Sequence, residues 1–322
     1  MRKTLPALIT LYCCFLLATV SGQDGAGNKQ LLRSKEDSLR EIASKIVNAR
    51  EASERFRADS LFTRMLVRAL KIPNSFSYPF DSVVHISKMY SPDSVFRIFT
   101  WQVVRDESLT RRHGAIQIKT TDGSLKLFPL IDRTNVISHP IDTVTNNEWW
   151  IGSIYYKIVQ KKINNTHYYT LLGYDENTMK STKKRIEVLT FDASGKPVFG
   201  GPYFSFEEDS LKRPTQARFW IEYKKDGNAR LQFDEELDMI IYDHLISENN
   251  EPDKKYTYIP DGDYEGFKWK DGKWVHVDKV FNFALKDGEA PIVAPLGEDK
   301  LGGKNPPPPA KKTTKKKSGG GN

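Results

Sequence analysis

Apolar and polar residues alternate with a helical period in the first part of the chain. Between about Asn28 and Leu70, apolar side chains recur every three or four residues among Lys, Arg and Glu, which predicts amphipathic helix. Two apolar stripes carry the pattern: Leu39, Ile42, Ala43, Ile46 and Val47, then Phe62, Met65, Leu66, Ala69 and Leu70. One long helix or two joined helices fit, with Asp59 or Ser60 capping a break and Pro73 ending the run.

The pattern changes between about Val83 and Phe283 to short runs rich in Val, Ile, Tyr, Phe and Trp. These runs predict strands, and the separating dipeptides favour tight turns. The dipeptides are Asp122-Gly123, Ser194-Gly195, Asp226-Gly227 and Asp271-Gly272. No helix-length pattern separates the runs, so an antiparallel sheet is expected rather than a doubly wound parallel one.

The predicted fold class is therefore α+β and mostly β. A helical N-terminal segment is followed by a large antiparallel β domain, either a sandwich or a curled sheet covered by the helices. A propeller-like arrangement is the alternative. The turns are spaced by 72, 32 and 45 residues, however, and the propeller alternative requires a fixed period.

The N-terminus has the pattern of an export signal. Arg2 and Lys3 precede an apolar run from Leu5 to Val20, and small residues follow around Gly22. The run is too short to predict a membrane span, so no transmembrane span is expected in the mature chain. We therefore expect cleavage near Gly22 and an extracytoplasmic location, in the periplasm or secreted.

Four segments follow from these patterns. Residues 1–22 are the signal peptide, and residues 23–72 are the helical segment, which begins with a Gly-rich link at 23–28. Residues 73–285 are the β-rich domain. Residues 286–322 form a tail rich in Pro and Lys that is expected to be disordered, because it has almost no apolar side chains.

Both cysteines, Cys13 and Cys14, lie inside the predicted signal peptide. The mature chain would then have none. Disulfides, zinc–thiolate sites and a cysteine nucleophile are excluded together for that chain.

The net charge of +8 is unevenly distributed. Removing the two basic residues of 1–22 and the seven lysines of 300–322 from the 49 basic residues leaves 40, against 41 acidic residues. The nearly neutral body predicts no specific nucleic-acid binding. The lysine tail is expected to contact an anionic surface or an envelope polymer, or to serve as a solubilising tail.

The sequence PDGDYEGFKWKDGKW begins like a calcium loop. Asp261, Asp263 and Glu265 alternate before Gly266, but position twelve is Gly272 rather than a bidentate Glu. Calcium is the cofactor that this motif suggests, and turn-forming acids are the alternative. No other cofactor is expected.

A second acidic run, FDEELDMIIYDHL, offers carboxylates for acid–base chemistry. Asp234, Glu236, Asp243 and His244 are the candidate catalytic residues if two of them meet across a cleft. GxSxG, a Walker loop and GxGxxG are all missing from the sequence. These absences favour a protein that is not an enzyme.

Aromatic residues offer candidate ligand-binding positions. Neighbouring residues of a strand face opposite sides, so in a two-layer domain one member of an aromatic pair is exposed. The candidates are Trp149, Trp150, Tyr168, Tyr169, Trp269 and Trp274. Stacking on sugar rings or aromatic ligands is one interpretation, and cross-strand packing or a covered second face is the other.

Several stretches resemble an uncharacterised group of exported bacterial proteins. They include ADSLFTRMLVRALKIPNSFSYPFDSV, FRIFTWQVV, GAIQIKTTDGSLKLFPLID, WWIGSIYYKIV, YYTLLGYDEN, MIIYDHLI and PDGDYEGFKWKDGKW. The similarity covers roughly Leu31 to Val280. It implies a bacterial extracytoplasmic setting and carries over no ligand, activity or site.

The sequence thus leaves two hypotheses. The first is an exported cell-envelope or secreted protein that acts as a non-enzymatic binding or structural module. The alternative is a hydrolase of envelope or extracellular polymers that uses paired carboxylates.

Overall fold

The computed structural model describes residues 6–106 and 109–281, with side chains described for 25–104 and 110–281. Two helices come first, α1 (Pro6–Asn48) and α2 (Ala52–Leu70). The residues predicted as a link at 23–28 instead continue α1. Glycines weaken a helix by only about 1 kcal/mol each and, unlike proline, do not stop it.

The break between the helices falls at 49–51 rather than at Asp59 or Ser60. Arg55 stabilises this position by donating from Nη1 to the carbonyls of Ala49 and Arg50 at 2.9 and 2.8 Å. Asp59 lies inside α2 and accepts a hydrogen bond from Trp101 Nε1 at 2.8 Å. Asp59 therefore makes a tertiary contact from the interior of a helix rather than a helix cap.

Apart from loops and three short 3₁₀ turns, the described chain after the helices is antiparallel sheet, as predicted. The parallel pairings are short: Phe204–Ser205 with Trp274–Val275, and the single bridge between Asp132 and Trp150. The runs predicted as strands are found, together with short strands that the pattern did not show. The strands are β1 (Ser87–Tyr90), β2 (Phe96–Asp106), β3 (Leu109–Ile118), β4 (Lys126–Ile131), β5 (Thr145–Asn146), β6 (Ile154–Ile163), β7 (Thr166–Asp175), β8 (Ser181–Phe191), β9 (Pro197–Phe199), β10 (Phe204–Ser205), β11 (Arg218–Lys224), β12 (Leu231–Asp234), β13 (Met239–Ser247), β14 (Tyr258–Lys270) and β15 (Lys273–Val277).

These strands form three sheets. The first sheet has the order β1-β2-β3-β4, and the third has the order β10-β15-β14-β13-β12. The middle sheet has the order β5-β9-β8-β7-β6, and β11 also pairs with β8. Along β8, residues 189–191 pair with β9 and residues 181–187 pair with β11.

Three apolar clusters show how the layers stack. The helices pack on Phe99 and Trp101 of the first sheet. The opposite face of that sheet, with Phe96 and Ile98, packs on the middle sheet. The other face of the middle sheet packs on the third sheet. The architecture is thus an antiparallel sandwich of three sheets covered by the helices on one side, rather than a propeller.

Two of the predicted Asp-Gly turns differ in whether the strands on either side of them pair. Asp271 and Gly272 have φ of 49° and 86° and close the two-residue hairpin between β14 and β15, as Asp-Gly predicts. Asp226-Gly227 instead connects β11 of the middle sheet to β12 of the third sheet. A turn dipeptide therefore locates a reversal of the chain but does not identify the strand that pairs after it.

Two predictions fall wholly or partly outside the described residues. The tail at 286–322 lies outside them, and so do residues 1–5 of the predicted signal peptide. Within the part of the chain that the structure describes, no helix combines the length and the apolar character needed to span a membrane.

Candidate functional site

Asp234 and Asp243, two of the predicted catalytic acids of the β12–β13 hairpin, lie at different positions along it. Asp234 accepts the backbone N–H groups of Glu236 and Leu237 at 3.0 and 2.9 Å and so closes the turn. It lies opposite Met239, four residues along β13 from Asp243, which places the two backbones about 13 Å apart. Glu236 is exposed in the turn. The register thus separates Asp234 from Asp243 along the hairpin.

Asp243 instead has a structural partner. It is buried, and its Oδ2 accepts the backbone N–H of Arg230 at 2.7 Å. Burial raises the pKa of its carboxyl, and the backbone hydrogen bond from Arg230 opposes that rise.

The three acidic residues of the predicted calcium motif do not converge on one point: two contact His244, and the third lies near a surface lysine. His244 Nδ1 lies 2.8 Å from Asp261 Oδ2, and His244 Nε2 lies 3.7 Å from Glu265 Oε1. The imidazole occupies the space between these two carboxylates. Asp263 points elsewhere, to Lys279 at 3.9 Å. Among the described residues, no three His, Cys, Asp or Glu side chains are arranged to hold a metal ion.

Glu265 also belongs to a buried network that the sequence pattern does not reveal. His276 Nδ1 lies 2.8 Å from Asp209 Oδ1, and His276 Nε2 lies 3.3 Å from Glu265 Oε2. The Tyr242 hydroxyl donates to Glu265 at 2.7 Å. Burial alone would lower the pKa of His276, but hydrogen bonds to Glu265 and Asp209 outweigh it and raise that pKa. The arrangement binds three strands and a loop together.

Five of the six candidate aromatic residues pack into the cores. Trp150 and Tyr169 are buried between the first and middle sheets, and Trp274 is buried between the middle and third sheets. Tyr168 and Trp269 are half-buried against that second core. Tyr168 and its neighbour Tyr169 both pack because the middle sheet is covered on both faces.

Trp149 is the exposed member of its pair, with 51% of its surface accessible. It does not lie on a strand as the sequence suggests, because the Asn146 side chain accepts the N–H groups of Glu148 and Trp149 and starts a short 3₁₀ turn. Trp150 anchors this turn: it is fully buried, and its Nε1 donates to the Tyr155 hydroxyl at 2.8 Å.

Trp149 stands in a surface groove of about 960 Å³. The Arg133 guanidinium carbon lies 5.6 Å from the centre of its ring, a cation–π contact. The groove is lined by apolar residues, amides and two charges of each sign: Phe128, Pro129, Ile131, Arg133, Val144, Thr145, Asn146, Asn147, Glu148, Trp149, Asp192, Lys196, Pro197 and Val198. An aromatic plate beside balanced polar groups suits a ligand with apolar C–H faces and hydroxyl groups.

The floor of the groove is fixed by backbone pairing. Arg133 N donates to Trp150 O at 2.8 Å, and Trp150 N donates to Ile131 O at 3.0 Å. At the edge of the groove, Asp192 accepts from the Ser194 hydroxyl and from the backbone of Ser194 and Lys196. The hydrogen bond from the Ser194 hydroxyl is the largest of the effects that lower the pKa of Asp192, so this carboxylate stays charged.

Comparison with known proteins adds no assignment: no family model, no curated protein and no solved structure matches the chain.

Proposed function

We propose that the chain is an exported bacterial protein of the cell envelope or the extracellular space that binds a polysaccharide in the Trp149 groove without catalysing a reaction. The export part of the proposal rests on Arg2, Lys3 and the apolar run that follows them. A chain without cysteines after Cys14 would be held together by its three-sheet packing alone.

The exposed ring of Trp149 carries the binding part of the proposal. An indole half open to water leaves apolar surface uncovered, although the neighbouring Trp150 is fully buried. Stacking of a sugar ring would cover that surface. The amide groups of Asn146 and Asn147 lie in the same groove and suit hydroxyl groups.

The charges of the groove favour a neutral polymer. Arg133 and Lys196 are balanced by Glu148 and Asp192. An anionic polymer would gain little electrostatic attraction from this groove. The lysine tail would attract such a polymer, and salt would screen that attraction. The two modes of attachment are therefore separable by the charge of the ligand.

The test is a binding assay of the full chain with neutral and anionic polysaccharides at two salt concentrations. We expect Trp149→Ala to weaken binding to a neutral polymer by at least about tenfold, or ~1.4 kcal/mol. Tyr256→Ala is the matched control, because Tyr256 is also an exposed aromatic beside a cation, Lys180 Nζ at 5.1 Å.

A second variant separates the tail from the groove. Changing Lys311, Lys312, Lys315, Lys316 and Lys317 to Gln is expected to abolish salt-sensitive binding to anionic polymers and to leave neutral-polymer binding unchanged. Equal binding of Trp149→Ala and the parent chain to every polymer would refute the groove as the site.

The hydrolase alternative gains no support from the contacts of its candidate acids. The Asp261–Glu265 pair has His244 between its carboxylates, where a glycosidic oxygen would have to lie. Asp234 and Asp243 accept backbone hydrogen bonds in separate turns and strands. We therefore propose binding and not hydrolysis.

A further inference from the structure

A second cavity lies at the end of the interface between the first and middle sheets, where their shared apolar core stops. We call it the arginine cleft. Its volume is about 240 Å³, the space of roughly eight liquid waters. It is lined by Thr110, Arg112, Thr134, Asn135, Pro140, Ile151, Asp175, Asn177, Lys183, Arg185 and Trp220.

Strand register brings most of the charged residues of the cleft together. On the middle sheet, Lys183 of β8 lies opposite Asp175 of β7, and Arg185 lies opposite Trp220 of β11. The first sheet contributes Arg112 from β3. Each sheet therefore supplies an arginine to the cleft, and the lining has three cations for one carboxylate.

Both arginines are deeply buried. The side chains of Arg112 and Arg185 are only 5% and 3% exposed, and both contact Asp175, which is 2% exposed. Buried charges are costly unless they are well paired. A buried pair of guanidinium groups around one carboxylate therefore needs further acceptors.

The pairing of these cations is incomplete. Arg112 makes one close contact with Asp175, but the Arg185–Asp175 distance is 3.4 Å and the Arg112–Asp132 distance is 3.5 Å. A good charge-assisted hydrogen bond measures about 2.7–2.9 Å. In addition, Nε of Arg112 and Nε of Arg185 are buried with no hydrogen-bond partner.

Lys183 is the third cation that lines the arginine cleft. Its Nζ lies 3.4 Å from Glu222 Oε2, again longer than a good charge-assisted bond, and 5.3 Å from the centre of the Trp220 ring. With 21% of its side chain exposed, Lys183 is the most accessible of the three cations. A ligand that enters the cleft can therefore reach it.

The backbone is shaped to admit the arginines. A Cβ at Gly152 would lie 2.4 Å from Cδ of Arg112, so only glycine fits beside that side chain. Arg185 Nη1 donates to the carbonyls of Ile151 and Gly152 at 2.9 and 3.0 Å. These contacts hold both guanidinium groups in place before any ligand binds, which lowers the ordering cost of binding.

We propose that the arginine cleft binds a small oxyanion, a carboxylate or a phosphate group, with Arg112, Arg185 and Lys183 as its cationic contacts. Planar guanidinium groups match both oxyanions, and an ammonium adds a point charge. The cleft admits a phosphate or a carboxylic acid of a few carbons rather than a polymer. It is thus a separate site from the Trp149 groove.

The test is calorimetric titration of the full chain with inorganic phosphate and, separately, with acetate, at ionic strength matched with sodium chloride. We expect saturable binding of one or both anions. Lys183→Gln is expected to weaken that binding about tenfold, because it removes one charge-assisted contact. Binding of phosphate alone, or of acetate alone, would identify which oxyanion the cleft prefers.

Lys270→Gln is the matched control. Lys270 is a strand lysine paired with Glu208 at 2.8 Å on the third sheet, and its loss changes the net charge equally. Arg112→Lys is the second variant and is expected to weaken binding further if it folds. Heat release no greater than for chloride, or equal losses in Lys183→Gln and Lys270→Gln, would overturn the proposal.

Discussion

The two faces of the middle sheet are built from the same strands but carry opposite chemistry. The face toward the third sheet is mainly apolar, with Val159, Leu172, Ile186, Val188 and Ile221 in one cluster, and the buried Thr170 accepts the Trp274 indole N–H there at 2.8 Å. The face toward the first sheet begins in the same way, with Tyr169, Leu171 and Leu189. It then changes to buried charges, with Arg185, Glu187 and Arg218 almost fully inaccessible.

The two faces have different roles: the apolar face contributes to stability, and the charged face forms a candidate binding site. Apolar burial stabilises at roughly 25 cal/mol per Å² and needs no particular geometry. Buried charges cost free energy unless each finds partners, so they fix the surrounding loops. Arg185 and Arg218 of the charged half consequently bind carbonyls of the segment between 140 and 152, and this half leaves a polar cleft, whereas the opposite face carries a continuous apolar cluster.

The largest expected effect is on the charged face. Arg218 and Glu187 are both 0% exposed and paired at 3.1 Å, and Arg218 also donates to the carbonyls of Pro140, Thr143 and Phe199. Arg218→Ala would leave the buried Glu187 carboxylate without its cation, although the Tyr155 hydroxyl would still donate to it at 2.5 Å. We expect it to lower the free energy of unfolding by about 4 kcal/mol, measured by urea denaturation.

A double variant tests the cause of that loss. Arg218→Met combined with Glu187→Leu removes both charges and replaces them with apolar volume, so it is expected to recover part of the loss. A double variant as unstable as Arg218→Ala would show that the carbonyl contacts, rather than the unpaired charge, dominate.

A smaller effect is expected on the apolar face. Leu172→Ala removes a fully buried side chain from the core shared with the third sheet and leaves a cavity. We expect the free energy of unfolding to fall by about 3 kcal/mol. Leu211→Ala, at a side chain that is 80% exposed, is the control and is expected to change stability by less than about 0.5 kcal/mol. A larger loss for Leu172→Ala than for Arg218→Ala would reverse the comparison between the faces.

The elements could be predicted because their signals are local. The apolar stripes that end at Leu70 and the strand runs between turns depend on neighbouring residues only. Asp59 shows the limit: its sequence position suits a helix cap, but a distant indole recruits its carboxylate. Tyr168 and Tyr169 show a second limit of local prediction. The expectation that one of them is exposed assumes two layers, but the middle sheet is covered on both faces.

The sites were less predictable because they depend on long-range register. Trp149 was among the candidates, although its exposure arises from a 3₁₀ turn rather than from strand alternation. Arg185 and Glu187 alternate with Ile186 and Val188, a pattern typical of a strand with one solvent face. Nothing local shows that this polar face is buried against Arg112 of another sheet. A signal exists only in combination, in Arg112, Arg185 and Arg218 on three different predicted strands.

The smallest expected effect is on how stability depends on pH. It again distinguishes the interface of the middle sheet with the first sheet from its interface with the third sheet. The buried cations of the charged face are arginines. The interface with the third sheet ends instead in His276, which packs against Phe206 and Phe267. Because the pKa of His276 is raised above its ordinary value of 6.5, protonated His276 contributes stability that is fully present below pH 6.5.

That contribution is lost as the pH rises through the raised pKa of the folded protein. Burial opposes ionisation of Glu265 and Asp209, but the hydrogen bond with His276 lowers the pKa of Glu265, and hydrogen bonds with Arg213 and then His276 lower the pKa of Asp209. Both carboxylates therefore stay charged throughout this window. Urea denaturation between about pH 6 and about pH 8 should show a decline that His276→Gln removes and that His139→Gln, at an exposed histidine, retains. If His276→Gln and the parent chain declined equally, the titrating group would lie elsewhere, and the two interfaces would not differ in their response to pH.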